Sequence, residues 1–252
     1  MASYLVTGAS RGLGLGLCAA LAAKPAAEVS VVYAAMRTET DALKQLVAKS
    51  PGRVELVAMD VTSEPSVGRA AGEVERSLGG KGLDVVVNAA GVMTVTPDGI
   101  ETMSDLDKTL NTNVTSAHLV TSAFLPLLKK GTLKKVVNLS SAHGSIAMAP
   151  DFMSSPAPAY KISKAALNML TAQYAQSLAS QGFTVIAISP GWVRTDMGGA
   201  RGDLDVETSV EATLDVVSRA AASDNGKFLN IHVPGWEKAE GSNQYDGGQL
   251  PW

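Results

Sequence analysis

The sequence predicts a single α/β domain, a doubly wound parallel sheet of about seven strands with helices on both faces. Short apolar runs alternate with stretches of helical spacing along almost all of the 252 residues. These runs hold almost no polar residues, which is typical of parallel strands buried on both faces. A glycine-rich turn follows the first run, at Thr7 to Gly14. Because crossovers in such sheets are right-handed, the loops after the strands should share one edge.

The periodicity assigns the elements in order. Strands are expected at residues 3–7, 29–36, 54–59, 83–88, 134–139, 184–189 and 227–233. Helices are expected from residue 12 and at residues 38–49, 63–78, 104–128, 159–181 and 206–221. Pro65 fits the first turn of its helix, whereas Pro126 should kink or end its helix. Residues 1–252 form one domain, with loops at 142–158 and 190–205 and a turn-rich tail at 234–252.

Composition excludes several classes of function. The chain is 46% hydrophobic and 18% charged, and its formal net charge of -3 gives no reason to expect nucleic acid or acidic lipid as a partner. No apolar run approaches the ~20 residues of a membrane-spanning helix. The single cysteine, Cys18, cannot form an internal disulfide and fits a reducing compartment. We therefore expect a soluble, cytoplasmic protein.

The glycine-rich turn is typical of a nucleotide-binding loop. Gly8, Gly12 and Gly14 lie between a strand and a helix, where main-chain N–H groups and the positive helix end could face a pyrophosphate. Glycine spacing alone is equally compatible with a tight turn that binds nothing. Other residues must decide between these interpretations.

Two further strand ends lie on the same expected edge. Asp60 and Val61 could contact an adenine, and the small residues from Asn88 to Gly91 would let a cofactor pass close to the backbone. Each has a structural alternative. Asp60 could be a turn or helix-capping residue, and Asn88 could link neighbouring strands.

The strongest chemical signal is Tyr160 with Lys164, a phenol and an ammonium one helical turn apart on the same face. An adjacent cation favours the phenolate, so the pair could exchange a proton with a carbonyl or alcohol. Ser141, after the fifth strand, could donate a hydrogen bond to the same oxygen. Taken singly, the pair could be an exposed helix surface and Ser140–Ser141 a turn cap.

Together these motifs resemble the classical short-chain dehydrogenase/reductase family, over almost the whole chain. The motifs that carry the resemblance are Thr7-Gly-x-x-x-Gly-x-Gly14, Asn88-Ala-Ala-Gly91, Asn113, Ser141, Tyr160-x-x-x-Lys164 and Pro190-Gly191. Within the family, the stretches after Pro190 and Tyr245 look most like sniffer-type carbonyl reductases and fungal ketoreductases similar to norsolorinic acid ketoreductase. One departure is a longer interval from Ser141 to Tyr160, which should change the shape of the substrate pocket.

The resemblance implies roles for individual residues. Tyr160 would be the acid/base, Lys164 would lower its pKa and hold the nicotinamide ribose, Ser141 would position the substrate oxygen, and Asn113 would help hold a relay water. The resemblance and the turn geometry together predict cofactor contacts from Gly8, Ser10, Arg11, Gly12, Leu13, Gly14, Arg37, Asp60, Val61, Asn88, Ala89, Ala90, Gly91, Tyr160, Lys164, Pro190, Gly191, Val193 and Thr195.

Charge near the second strand favours NADP (NADPH) over NAD. An NAD site places an acidic side chain at this strand end, but residues 34–37 contain none. Arg11 and Arg37 offer guanidinium groups for a 2′-phosphate instead. Arg11 could also be merely solvated. No metal site is expected, because the three histidines, His118, His143 and His232, lack ligand spacing.

We therefore expect an NADPH-dependent reductase of a small-molecule ketone or aldehyde, bulky or aromatic. Trp192, Trp236, Tyr245 and Trp252 could line its pocket, although such residues more commonly pack a tail onto a domain. Alternatives are an NADP-dependent alcohol dehydrogenase and, from another class, a silent NADP-sensing protein. An epimerase is disfavoured because there is no separate carboxyl-terminal substrate domain. The resemblance also implies a homodimer or homotetramer.

Overall fold

Seven parallel strands form one sheet in the computed structural model, which describes Met1–Trp252. The strands are β1 (Ala2–Thr7), β2 (Val29–Met36), β3 (Val54–Ala58), β4 (Val85–Asn88), β5 (Lys135–Leu139), β6 (Thr184–Ser189) and β7 (Phe228–Asn230). Their order is β3-β2-β1-β4-β5-β6-β7. Since the chain reverses its winding direction between β1 and β4, the crevice beyond their carboxyl ends is the expected ligand site of an open α/β sheet.

Helices cover both faces of the sheet. They are α1 (Gly12–Ala23), α2 (Asp41–Lys49), α3 (Glu64–Leu78), α4 (Leu106–Leu110), α5 (Ser116–Lys130), α6 (Pro158–Leu178) and α7 (Val206–Arg219). Leu17, Leu43 and Leu214, from α1, α2 and α7, join a core cluster of 29 residues on one face. Phe124 and Leu178, from α5 and α6, join a cluster of 20 on the other. The predicted doubly wound α/β architecture is confirmed.

The register of the strands aligns their carboxyl ends. Leu5 pairs with Val86 across β1 and β4, and Asn88 pairs with Asn138 across β4 and β5. Residues that follow these strands therefore emerge at one edge of the sheet, as parallel pairing requires. This edge carries the segments that contain Gly8, Asn88 and Ser141.

The expected helix at 104–128 is interrupted. It is divided into α4, one π-helical turn at Asn111–Thr115, and α5. Pro126 does not end the helix, because α5 continues to Lys130. Single π turns inside helices are frequent at functional sites, and this turn contains Asn113.

The last strand is shorter than expected, and the tail pairs with it. β7 spans only three residues, and the returning chain forms antiparallel bridges of Leu229 with Gln249 and of His232 with Asp246. Leu250 N donates to Phe228 O at 2.8 Å. Turn composition at 234–252 concealed this pairing, which covers an exposed sheet edge. None of the helices combines the length and apolarity that crossing a membrane requires.

Two helical glycines provide a test of the close packing at the first loop. A Cβ on Gly14 would overlap the carbonyl group of Gly8, whereas a Cβ on Gly68 in α3 would meet nothing within 4 Å. We expect Gly14→Ala to lower the free energy of unfolding by about 3 kcal/mol, as overpacking does. Gly68→Ala should raise it by about 0.5–1 kcal/mol through helix propensity. Urea unfolding of both variants checks this; a stable Gly14→Ala protein would contradict the packing described.

Candidate active site

The glycine-rich loop is fixed against the end of β4. Gly8 has a φ of 68°, and a Cβ there would lie 2.9 Å from Ala90 Cα. The Thr7 hydroxyl accepts hydrogen bonds from Ala89 N and Ala90 N, both at 3.0 Å. The glycine-rich loop therefore packs directly against the backbone of the Asn88–Gly91 segment, and only a glycine fits at position 8.

The amino end of α1 is open to a ligand. Its capping residue, Arg11, makes no side-chain hydrogen bond to the first turn, so main-chain N–H groups there have no capping partner. Ser10 instead links the loop to the segment after β2, because its hydroxyl donates to Thr38 O at 2.8 Å. Leu13 packs against the core cluster on this face of the sheet.

Two guanidinium groups lie near the ends of β1 and β2. Arg11 pairs with Asp196 at 3.0 Å, and both side chains are largely exposed. Arg37 is close enough to Asp60 to contribute to lowering the pKa of that carboxyl group. An exposed ion pair such as Arg11–Asp196 contributes little stability, so a phosphate could displace the carboxylate at small cost.

Asp60 and Asn88 also adopt the structural roles considered from the sequence. Asp60 Oδ1 accepts from the Thr62 hydroxyl at 2.7 Å and from Thr62 N at 3.0 Å, which is a turn-forming arrangement. These hydrogen bonds are the main cause of the lowered pKa of Asp60. Asn88 Nδ2 donates to Asn138 Oδ1 at 2.8 Å and so links β4 to β5. Neither observation involves a ligand.

Tyr160 and Lys164 lie one turn apart near the start of α6, and both are buried. The Lys164 Nζ donates to Leu139 O at 2.7 Å and lies 5.4 Å from the centroid of the Tyr160 ring. The β5 carbonyl thus holds the ammonium beside the ring. This arrangement places a phenol and a cation at the carboxyl edge of the sheet.

The pKa of Tyr160 differs from the sequence expectation. Burial raises it, and a hydrogen bond with Ser141 only partly offsets that effect. Burial also lowers the pKa of Lys164 to about 8. The net shift of the Tyr160 pKa is therefore upward in this structure, opposite in direction to the lowering expected beside Lys164, because burial disfavours the phenolate. The phenol therefore holds its proton at neutral pH.

Asn113 lies beside this pair. Its side chain donates to Val92 O at 2.9 Å, accepts from Val92 N at 2.8 Å, and donates to Ser163 Oγ at 2.9 Å. A Cβ on Gly91 would be 3.3 Å from Asn113 Oδ1 and 3.9 Å from Lys164 Nζ. Asn113, Gly91 and Lys164 therefore surround one narrow space, which a larger residue at position 91 would fill.

Comparison with known proteins identifies the family. A family model described as short chain dehydrogenase matches residues 3–204. The chain belongs to the short-chain dehydrogenase family. The short-chain dehydrogenase/reductase AacuF of Aspergillus aculeatus is 34% identical over 226 residues, which cover 85% of this chain and 83% of that protein.

Solved structures of carbonyl reductases share the fold. An NADPH-bound carbonyl reductase from chicken fatty liver has a TM-score of 0.86 and 33% identity, and the match covers 99% of this chain and 94% of that one. The carbonyl reductase Sniffer of D. melanogaster has a TM-score of 0.85 and 30% identity, and the match covers all of both chains. The expected resemblance is confirmed, and this short-chain dehydrogenase is an oxidoreductase of the CH–OH/C=O class.

One long segment of this short-chain dehydrogenase, residues 190–205, follows β6. Gly191 has a φ of 83°, Val193 bridges Leu204, and Thr195 contacts the glycine loop, since a Cβ on Gly12 would lie 3.5 Å from Thr195 Cγ2. Ser209 donates to Pro190 O at 2.6 Å. The 190–205 segment therefore closes over the expected cofactor side of the site.

The tail holds this segment in place. The Tyr245 hydroxyl accepts from Trp192 N at 3.0 Å and donates to Asp203 Oδ2 at 2.6 Å. Asp205 caps α7 by accepting from Thr208 N, whereas the Asp203 carboxylate accepts from Tyr245. Burial raises the pKa of Tyr245, so its phenol remains a donor. Nothing in the sequence pattern connects these three residues.

The long Ser141–Tyr160 interval folds into two short helical turns, Ala142–Gly144 and Ala149–Phe152. Phe152 is buried and stacks on the His143 ring, with centroids 4.4 Å apart. Trp252 O at the end of the tail accepts from Ala147 N at 3.1 Å. The sequence analysis considered His143 only as a metal ligand and did not single out Phe152. No group of three His, Cys, Asp or Glu residues is placed to hold a metal ion.

Proposed function

We propose that the protein is an NADPH-dependent carbonyl reductase in which Tyr160 is the general acid. The observation that carries this proposal is the buried Tyr160 phenol, which keeps its proton at neutral pH beside Ser141 and Lys164. Bound NADPH supplies the hydride. Two features of the chain fit the cofactor: the start of α1 has uncapped N–H groups, and Gly91 leaves open a space beside Asn113 and Lys164 that a Cβ would enter.

The residues of the chain account for the proton chemistry. Ser141 and Tyr160 both donate hydrogen bonds to the carbonyl oxygen, which polarises it and fixes its position. As negative charge develops on that oxygen, Tyr160 transfers its phenolic proton. The Lys164 ammonium, charged below a pKa of about 8, then stabilises the phenolate that remains. We further propose that Asn113 holds the relay that returns a proton to Tyr160, and that Asp60, Val61, Val193 and Thr195 contact the cofactor.

Activity measurements separate this proposal from its alternatives. NADPH oxidation is followed with a panel of aryl ketones, aldehydes and quinones, and NADP reduction with the matching alcohols. Turnover of at least one carbonyl at neutral pH supports the reductase. Turnover of alcohols alone would favour an NADP-dependent alcohol dehydrogenase. Tight cofactor binding without turnover of any compound would favour a silent sensor and contradict the proposal.

The surroundings of the site favour a bulky, apolar carbonyl. Ile146 and Met153, in the loop after Ser141, are 75% and 80% exposed, and Trp192 and Met197, after β6, are 40% exposed. These side chains belong to the two segments that flank Ser141 and Tyr160. Exposed apolar groups on these two loops suit an apolar ligand, which buries them on binding. Trp236 and Tyr245 instead pack against each other in the tail.

Arg11 and Arg37 account for the proposed preference for NADPH. We expect Arg37→Ala to raise the Kd for NADPH about tenfold and to leave the Kd for NADH within about twofold, because only NADPH carries the 2′-phosphate. Arg11→Ala should act in the same direction. Calorimetric titration measures both constants, and Arg219→Ala, which removes a cation paired with Asp215 on α7, is the control. Equal losses for the two cofactors would contradict this assignment.

The same proposal extends to organisation. We propose one NADP-binding domain with substrate loops at 142–158 and 190–205, acting in the cytoplasm as a homodimer or homotetramer. The helices α5 and α6 would form the contact, and Met169 on α6 is a large exposed apolar residue there. Light scattering measures the mass in solution: a dimer or tetramer that Met169→Glu dissociates supports this contact, and a monomer contradicts it.

A further inference from the structure

The hydrogen bonds of Ser141 restrict the direction of its proton. The hydroxyl oxygen accepts from His143 N at 3.2 Å and lies 3.4 Å from His143 Nδ1. The same hydroxyl is close enough to the Tyr160 phenol to lower its pKa in part. A serine hydroxyl has one proton and two lone pairs, so the backbone N–H of His143 already occupies one of those lone pairs.

The tautomer of His143 decides where the remaining proton points. If Nδ1 were an acceptor, the Ser141 proton would point at the imidazole and away from Tyr160. If Nδ1 carries a proton, both serine lone pairs are occupied, and the only free direction for the serine proton is toward the Tyr160 side. That direction is the one a hydrogen bond to a carbonyl oxygen requires.

The ring of His143 is held by contacts on the element that follows. Phe152 stacks on it at 4.4 Å with an interplanar angle of 27°, and the Tyr160 ring meets it edge-on at 6.2 Å. Lys161 Nζ donates to Phe152 O at 2.6 Å and so ties this stack to α6. The long interval between Ser141 and Tyr160 therefore supplies the aromatic side chain that stacks on the imidazole.

The imidazole is also kept neutral. Burial, together with the positive charge of Lys161, lowers the pKa of His143 to about 4. At working pH the ring therefore carries one proton, which can occupy either Nδ1 or Nε2. The charged or titratable side chains that face it are Lys161 and Tyr160, both from α6.

We propose that His143 is a positioning residue for Ser141: clamped by Phe152, it donates through Nδ1–H to Ser141 Oγ and so directs the serine proton to the substrate oxygen. This inference rests on the proposed carbonyl reduction for its effect on turnover. The direction of the hydrogen bond is a separate matter, which spectroscopy measures in the absence of any substrate.

Two substitutions separate the hydrogen bond from the stack. His143→Asn keeps an N–H near the position of Nδ1 but loses the ring, whereas His143→Phe keeps a ring against Phe152 but loses the N–H. We expect His143→Phe to lower kcat about tenfold with KM within about twofold, which corresponds to about 1.4 kcal/mol of transition-state stabilisation. His143→Asn should keep kcat within about threefold of wild type. His118→Phe, at an exposed histidine bonded to Tyr174, is the matched control.

A double-mutant cycle tests whether His143 acts through Ser141. In the Ser141→Ala background, His143→Phe should change kcat by less than about twofold, because the group it orients is gone. Losses that multiply in the double mutant would overturn the proposal, and so would equal losses for the Asn and Phe variants. If the Phe variant fails to fold, the Asn variant, alone and with Ser141→Ala, decides.

Nitrogen NMR of the histidine-labelled protein tests the direction independently of catalysis. In the wild type we expect the His143 proton on Nδ1. In Ser141→Ala we expect the nitrogen chemical shift of His143 Nδ1 to change. A proton on Nε2 with a bare Nδ1 would overturn the proposal. If no carbonyl is turned over, the proposed function fails, but this measurement still shows whether His143 orients Ser141.

Discussion

Replacing Tyr160 with Phe is expected to reduce carbonyl turnover at least about a thousandfold, because the variant lacks the only buried phenol next to Ser141. The substitution removes one oxygen atom and keeps the ring, so the contact with Lys164 and the packing of α6 should survive. Steady-state NADPH oxidation measures the loss. Calorimetric titration should show NADPH binding within about threefold of wild type, because the phenol is a minor part of the cofactor site.

Tyr174→Phe is the matched control for this experiment. Tyr174 is also on α6 and half-buried, but its hydroxyl is bonded to His118 Nδ1 on α5 at 2.8 Å rather than to Ser141. The control should leave turnover within about twofold. If Tyr160→Phe retained wild-type kcat and KM, the proton would have to come from another group, and the proposed mechanism would be wrong.

Much of the architecture could be predicted because it depends on local patterns. Apolar runs without polar residues indicated the strands, and their alternation with helical segments implied one parallel sheet. The strand order then brought Gly8, Asn88, Ser141 and Tyr160 to one edge without any knowledge of side-chain contacts. The positions of the motifs in the fold follow from these rules alone.

The electrostatics of the site could not be predicted in this way. Charge spacing suggested that Lys164 lowers the pKa of Tyr160, but the phenol is buried and its pKa is raised. Burial depends on how α6 packs against the end of β5, which helical spacing does not reveal. For the same reason the stacking of Phe152 on His143 could not be predicted, since that contact joins residues of an irregular loop.

The long-range contacts of the tail at residues 234–252 could not be predicted from the sequence either. Tyr245 is bonded to Trp192 N and Asp203 across 42 or more residues of chain, and the tail pairs with β7 through isolated bridges. Turn-rich composition predicts neither contact, because each depends on where the returning chain meets the sheet edge. The consequence for function is that the tail helps to position the segment after Pro190, together with hydrogen bonds within that segment.

Lys164→Met is expected to abolish most activity while making the protein more stable. Burial lowers the pKa of Lys164 from 10.5 to about 8, so the folded state disfavours the ammonium. Each unit of pKa shift corresponds to about 1.4 kcal/mol, so the charged Lys164 destabilises the folded state by about 3 kcal/mol below pH 8. Methionine removes it but also loses the hydrogen bond to Leu139 O, a loss of about 1 kcal/mol. The variant should therefore be about 2 kcal/mol more stable at pH 7, and turnover should fall at least about a hundredfold.

The pH dependence of the stability gain in Lys164→Met shows whether the gain comes from removing the buried charge. The folded pKa of Lys164 is lower than the unfolded one, so the unfolded chain binds more protons between about pH 8 and 10.5, and wild-type stability rises over that range. The advantage of Lys164→Met should therefore be complete below pH 8 and shrink above it. Urea unfolding at pH 7 and pH 9.5 measures both values. Lys44→Met, at an exposed lysine paired with Asp41, should change stability by less than about 0.5 kcal/mol at either pH.

A gain in stability that did not vary with pH would mean that methionine stabilises by packing, and that burial of the Lys164 ammonium does not destabilise the folded state. A gain that fades as described would show that the fold retains a destabilising charge at the site where the proposed reaction needs one.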